Sequence, residues 1–317
     1  MAAEATPHAT ANWVAVDGPR SLRRTLGVYR TGFGDPTTRI SDSSFLRASY
    51  TPDGPATLRL TWTTDPAPAD DCGLRAEAWG PGAGWALARV EALTGHADRS
   101  VTFPGAPAAI ERAMRSARAV RIGASGDPYH QLLPTIIAQR ITAGEAVRQW
   151  QRLCQALGEP APGPVAEVGG LLLPPSPAAL HRRPAWWFHP LGIERKRAQP
   201  LVEAARHAGR MWDWAEAGSS VLADKLALIP GIGPWTIGSM LGPVCGDPDA
   251  VPVGDYHFPN TVAWALQREP RADDARMLEL LEPYRGQRGR VLRAIVTTAG
   301  TAPSYGPRQR ILPMAKW

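Results

Sequence analysis

Cysteine is scarce in this chain: Cys72, Cys154 and Cys245 are its only three, widely separated and odd in number. That spacing excludes a cysteine zinc site and a four-cysteine iron–sulfur cluster. No run of about 18 apolar residues occurs, so no membrane-spanning helix is expected. The N-terminus lacks the basic-then-apolar order of a secretory signal, which makes the cytoplasm the expected compartment. His130, His189 and His257 have no metal-ligand partner at i+3 or i+4 and read as structural or surface residues. No internal repeat and no Ser-His-Asp constellation stands out.

What is present is positive charge. Lys and Arg number 35 against 29 Asp and Glu in 317 residues, with a pI near 9.6. Such a balance favours a polyanionic partner. Arg285, Arg288, Arg290, Arg293, Arg308, Arg310 and Lys316 follow one another with no acidic residue among them. Arg182, Arg183, Arg195, Lys196 and Arg197 form a second cluster. The alternative for each is a solvated charged face.

The composition divides the chain. Residues 1–19 read as a disordered N-terminus, and its first twelve are small, polar and Ala/Thr-rich. Residues 20–105 read as a small α+β domain. Thr57–Thr63 alternates apolar and polar residues as a half-buried strand does. Ser44–Tyr50 and Leu26–Tyr29 are candidate neighbours, and Gly82–Ala92 is apolar at helical spacing. Residues 106–303 read as helices with short breaks, and 304–317 as a basic tail. Expected helices include 107–119, 128–139 and 143–157; the last carries Ala146, Val147, Trp150, Leu153 and Leu157 on one stripe. Others are 176–182, with Ser176 as N-cap, 195–208, 260–266, 271–281 and 286–298. The fold class is α+β, mostly α.

The stretch Leu226–Asp255 carries the most information. Pro230 stops one short helix, since proline has no N–H to donate. Gly231 and Gly233 allow a tight turn, and Pro234 suits the first turn of the next helix. Free N–H groups at that helix start form an anion site fit for a DNA phosphate. A helix–turn–helix corner without a ligand is the plainer alternative.

Leu228-Ile229-Pro230-Gly231-Ile232-Gly233-Pro234-Trp235-Thr236 and the later Asp255-Tyr256 resemble the helix-hairpin-helix DNA glycosylase superfamily. Within it, the bacterial 3-methyladenine DNA glycosylase II family is the nearest resemblance. Asp127-Pro128-Tyr129, Ala138–Thr142 and Leu191–Ala198 match in the same order, across roughly residues 106–300. The resemblance implies an N-terminal antiparallel β/α domain without a catalytic role, then an all-helical catalytic domain. It also implies base excision from double-stranded DNA containing damaged bases. A monomer is the simplest expectation, in the cytoplasm and associated with the nucleoid. No required cofactor is expected. A monovalent cation (Na+ or K+) is implied at the hairpin, on the carbonyls of Ala227, Ile229 and Ile232.

Cutting a base from its sugar requires the base to leave the stack. A carboxylate can then stabilise the oxocarbenium-like sugar and orient water. Asp255, 24 positions after Gly231, is the expected catalytic residue; capping of the following helix is the alternative. Asp247 and Asp249 are competitors in a Gly-Asp-Pro-Asp turn that reads as exposed. At Trp235, relatives that also cleave the DNA backbone have a lysine that forms a Schiff base. Tryptophan implies a monofunctional enzyme whose indole faces a cationic alkylated purine. Tyr256 is the second base-pocket candidate. DNA contacts are implied at Gln139, Arg140, Gly192, Arg195, Gly231, Gly233 and Thr236. Arg140 departs from the apolar wedge common in the family, and Arg290–Thr298 lacks the tryptophan its last helix often offers. The expected function is excision of 3-methyl- and 7-methyl-type purines. The rivals are a glycosylase for neutral oxidised or deaminated bases and a non-catalytic DNA-binding protein.

Overall fold

A computed structural model describes residues 8–15, 19–63, 72–99, 101–117 and 121–298. Strand β1 (His8–Ala15) and helix α1 (Pro19–Leu26) come first, then β2 (Thr38–Ile40), β3 (Ser44–Thr51), β4 (Gly54–Trp62) and β5 (Cys72–Trp79). These strands form one antiparallel sheet in the order β1-β5-β4-β3-β2. Leu58, Leu60 and Trp62 alternate along β4 and face a core closed by α1, α2 (Ala83–Ala88) and α3 (Val90–Thr94). That alternation is the half-buried period the sequence predicts.

Two expectations fail here. Residues 8–15 of the segment read as disordered form β1, which pairs along its whole length with β5; residues 1–7 and 16–18 lie outside the described residues. Leu26–Tyr29 is no strand: it is the end of α1 and a 3-10 turn at Gly27–Tyr29. Leu22, Leu26 and Tyr29 are spaced for one helical face, and all three are buried against the sheet.

The helices that follow are α4 (Ala108–Ala117), α5 (Pro128–Ile137), α6 (Ala143–Leu157), α7 (Val165–Val168), α8 (Pro177–His181) and α9 (Arg195–Glu216). Then come α10 (Ser219–Ala227), α11 (Pro234–Cys245), α12 (Phe258–Gln267), α13 (Asp274–Leu281) and α14 (Arg288–Thr298). Caps explain several starts. Asp127 accepts the His130 N–H at 3.1 Å, and Ser176 accepts that of Ala179 at 3.1 Å. Residues from α5, α6 and α8 to α11 share one core, whereas α4 and α12 to α14 share another. The chain from α11 to α12 joins the two, and the candidate site lies on that join.

The sheet meets the helices through a buried polar joint. Asp35 accepts N–H groups from Thr31 and Thr37 and the indole N–H of Trp150 at 3.0 Å. His130 lies between Thr37 Oγ1 (Nε2, 2.9 Å) and Ser49 Oγ (Nδ1, 2.8 Å). Burial, and then the nearby Arg47 charge, push the imidazole well below its ordinary value. Asp127, equally buried, is pushed the other way by burial, with Arg47 opposing. The folded chain therefore holds His130 neutral, while the unfolded chain protonates it near pH 6.5. Stability should fall as pH drops below that value, by up to about 1.4 kcal/mol per pH unit from this residue. Urea titrations from pH 7 to 5 should show a flatter dependence for His130→Gln than for the wild type; parallel slopes would remove His130 from the account.

Candidate functional site

The turn between α10 and α11 is set by local chemistry. Pro230 cannot extend α10, and the Ile232 N–H returns to Ile229 O at 3.0 Å. Gly231 has φ +87°, and a Cβ there would lie 2.3 Å from Pro200 Cγ on α9. Only glycine fits, on both counts. Gln139, just past the end of α5, braces the turn: its Nε2 donates to Gly231 O and Thr236 Oγ1, both at 2.9 Å.

Helix α11 then begins at Pro234 with no side-chain cap. Among the described residues, no backbone carbonyl accepts the N–H groups of Gly231, Gly233, Trp235 or Thr236. These unused donors lie at the positive end of a 12-residue helix, which together make an anion site.

The segment that carries Asp255 is clamped between two helices. A Cβ on Gly238 of α11 would lie 2.2 Å from Val251 O, and one on Gly289 of α14 would lie 2.3 Å from Ala250 O. Arg290 N–H donates to Pro248 O at 2.8 Å, and Arg288 Nε to Asp249 Oδ1 at 2.9 Å. Burial opposes ionisation of Asp249, but the hydrogen bonds from Arg288 hold its carboxyl below the ordinary value. Asp249, read from sequence as an exposed competitor, is thus committed to the clamp. Gly254, at φ +95°, donates its N–H to Asp274 Oδ1 at 3.0 Å and turns the chain toward α11.

Asp255 consequently faces Trp235. The indole Nε1 donates to Oδ2 at 2.9 Å, and the N–H groups of His257 and Phe258 donate to Oδ1 at 2.8 and 3.0 Å. One oxygen therefore holds the turn that leads into α12, whose N-cap is His257 rather than Asp255 as the plainer sequence reading has it, while the other meets the indole in the first turn of α11. Tyr256 is 84% exposed, its ring edge-on to His257 at 4.9 Å.

The other predicted positions divide. Arg140 is exposed in the α5–α6 turn and holds a left-handed φ of 57°, which only Arg268 shares among described non-glycine residues. Arg268 takes that conformation as the C-cap of α12. Arg195 and Lys196 are exposed in the first turn of α9.

At three positions expected to contact DNA, side-chain or backbone groups are already engaged within the protein. Thr236 is 1% exposed, with its hydroxyl engaged by Gln139. The Gln139 amide nitrogen is itself spent on the turn. Gly192 is buried; its N–H donates to His189 O at 2.8 Å and its carbonyl accepts from Gln149 Nε2 at 2.7 Å.

The basic clusters are also smaller than their sequence suggests. Arg197 is 4% exposed and donates to Ile137 O and Gln149 Oε1. Arg285 pairs with Glu282, Arg288 with Asp249, and Arg290 with Asp98. Residues 299–317 lie outside the described set. The clamp residues Gly238, Gly289 and Arg288 escaped the sequence reading. The available signal was a glycine inside each of two helical segments, Gly238 in apolar α11 and Gly289 between two arginines of α14, where glycine costs about 1 kcal/mol against alanine.

No protein-family model and no curated protein matches this sequence. Solved structures do match in fold. The chain is similar to a 3-methyladenine DNA glycosylase from Archaeoglobus fulgidus, with TM-score 0.65, 15% identity, and 90% of this chain and 97% of that one covered. It is also similar to the apo 8-oxoguanine glycosylase/lyase of Clostridium acetobutylicum, with TM-score 0.63, 12% identity, and coverage of 94% and 100%. The same Clostridium protein with double-stranded DNA containing cytosine opposite 8-oxoG gives TM-score 0.56 and 12% identity, over 84% and 87% of the chains.

Proposed function

We propose that this chain, which has the fold of the helix-hairpin-helix DNA glycosylases, is a monofunctional enzyme that excises 3-methyl- and 7-methyl-type purines from double-stranded DNA. The observation that carries the reading is the Asp255 carboxylate, 2.9 Å from an indole in the first turn of a helix whose N–H groups are free. The hairpin donors take a phosphate of the damaged strand. Arg140 enters the stack beside the lesion, where its planar guanidinium can stack and hydrogen-bond. The extruded base lies against Trp235, with Tyr256 beside it. A methylated purine is cationic, so an indole face attracts it by roughly 0.5–2 kcal/mol. It is also a good leaving group. Asp255 stabilises the sugar as positive charge develops there, and orients water to complete hydrolysis.

A monovalent cation fits the hairpin. Among the described residues the carbonyls of Ala227 and Ile232 accept no backbone hydrogen bond, and Ile229 O keeps a second lone pair. These three would hold the ion, which would supply positive charge to a phosphate oxygen.

Position 235 has no amine, so no Schiff base forms there. Borohydride is expected not to trap the protein on a duplex it is acting on, and the product should be an intact strand with an abasic site. A covalent adduct on a gel would refute the monofunctional assignment. A glycosylase for a neutral lesion is the second reading. It is favoured by the absence of an aromatic residue from α14, which reads Arg288-Gly-Arg-Val-Leu-Arg-Ala-Ile-Val-Thr-Thr298.

A further inference from the structure

We propose that the indole N–H of Trp235 is a positioning group for Asp255. One side chain then does two things: its face meets the cationic purine, and its edge sets the carboxylate that faces the sugar. This rests on the glycosylase reading above, which gives Asp255 the sugar.

The geometry makes the indole the decisive donor. The His257 and Phe258 N–H groups hold Oδ1 alone. A carboxylate held by one oxygen still swings about that point. Trp235 Nε1, at 2.9 Å from Oδ2, removes this freedom. The same bond fixes the ring. Trp235 sits in the first turn of α11, and a Cβ on Gly254 would lie 3.7 Å from Trp235 Cβ, so the Asp255 segment runs directly over the ring's attachment. Gly238, one turn further on, lets Val251 and Pro252 pack against the helix backbone. Indole and carboxylate are thus set before DNA arrives.

The chemistry of the donor matters as well. An ammonium at this place would orient Asp255 but also neutralise it. The indole is an uncharged donor, so it directs the carboxylate without cancelling the field that stabilises the oxocarbenium-like sugar. The site then supplies negative charge to the sugar but no strong acid for the leaving base. That combination selects purines that already carry positive charge.

Trp235→Phe keeps an aromatic face and removes the N–H. A hydrogen bond to a charged group contributes about 1.5–3 kcal/mol. Single-turnover release of a methylated purine should therefore slow by about tenfold to 150-fold. The Kd for duplex carrying an abasic-site analogue, which leaves the base pocket empty, should change far less. Unchanged release would overturn the proposal, since a ring that only stacks is retained in Phe. A second readout does not depend on activity. The indole 1H–15N resonance that disappears in Trp235→Phe should move upfield in Asp255→Ala. A resonance that does not move overturns the proposal whatever the enzyme releases. No release by the wild type, with a resonance that does move, rejects the glycosylase reading and leaves the indole–carboxylate bond standing.

Discussion

Asp255→Asn is expected to bind duplex DNA as the wild type does and to release methylated purines on the order of 10²–10³-fold more slowly. Asparagine has the same shape. Its carbonyl oxygen can still accept the His257 and Phe258 N–H groups that bond Oδ1 in the wild type. The turn into α12 is thereby kept. What changes is the second position. An NH2 group would face the Trp235 N–H, donor against donor, and the negative charge beside the sugar would be gone. The loss should appear in the chemical step, read by single-turnover release at saturating enzyme. Equal Kd by fluorescence anisotropy at one fixed salt concentration would show that the phosphate site is intact. Release at the wild-type rate would remove Asp255 from the mechanism.

Gly231→Ala is expected to weaken binding to duplex DNA tenfold or more, on the order of 1.4 kcal/mol. Two costs act together. A left-handed backbone costs alanine about 1–2 kcal/mol. The added methyl would also meet Pro200 Cγ at 2.3 Å, a ring buried in α9 that cannot swing aside. Overpacking of this kind costs typically 1–3 kcal/mol unless the backbone shifts. The hairpin has room to shift only outward, which breaks the Gln139 bond to Gly231 O and misaligns the free N–H groups. Gly209→Ala is the control, because a Cβ there meets nothing within 4 Å on an exposed face of α9. That variant should bind DNA as the wild type does. Wild-type affinity in Gly231→Ala would show that the turn is a packing corner and not a phosphate clamp.

The parts of the fold legible in the sequence are those fixed by neighbours along the chain. Proline and glycine at 230 to 234 punctuate the hairpin locally, and Ser176 and the stripe on α6 announce their helices in the same way. The illegible parts depend on residues distant in sequence. Strand β1 forms because β5 offers it a partner, not because of its own Ala/Thr-rich composition. The arginines of α14 look like a basic run, since Asp98 and Asp249 approach them from far along the chain. Arg197 looks like one of a surface trio, although helix periodicity turns it inward to Gln149 while Arg195 and Lys196 stay outside. At the site, both partners of the Trp235–Asp255 pair were evident as candidates. Their hydrogen bond was not, because it depends on glycines at 238, 254 and 289 letting three backbones approach.

The most direct measurement compares three duplexes identical except for one base: a methylated purine, a deaminated base and an oxidised base. Each is incubated with the wild-type protein, and abasic sites are counted with an aldehyde-reactive probe. The indole face and the Asp255 carboxylate predict abasic sites in the methylated duplex, with the other two left intact. Sites only in the neutral-lesion duplexes, or in none of the three, would contradict the assignment of a cationic purine to this pocket.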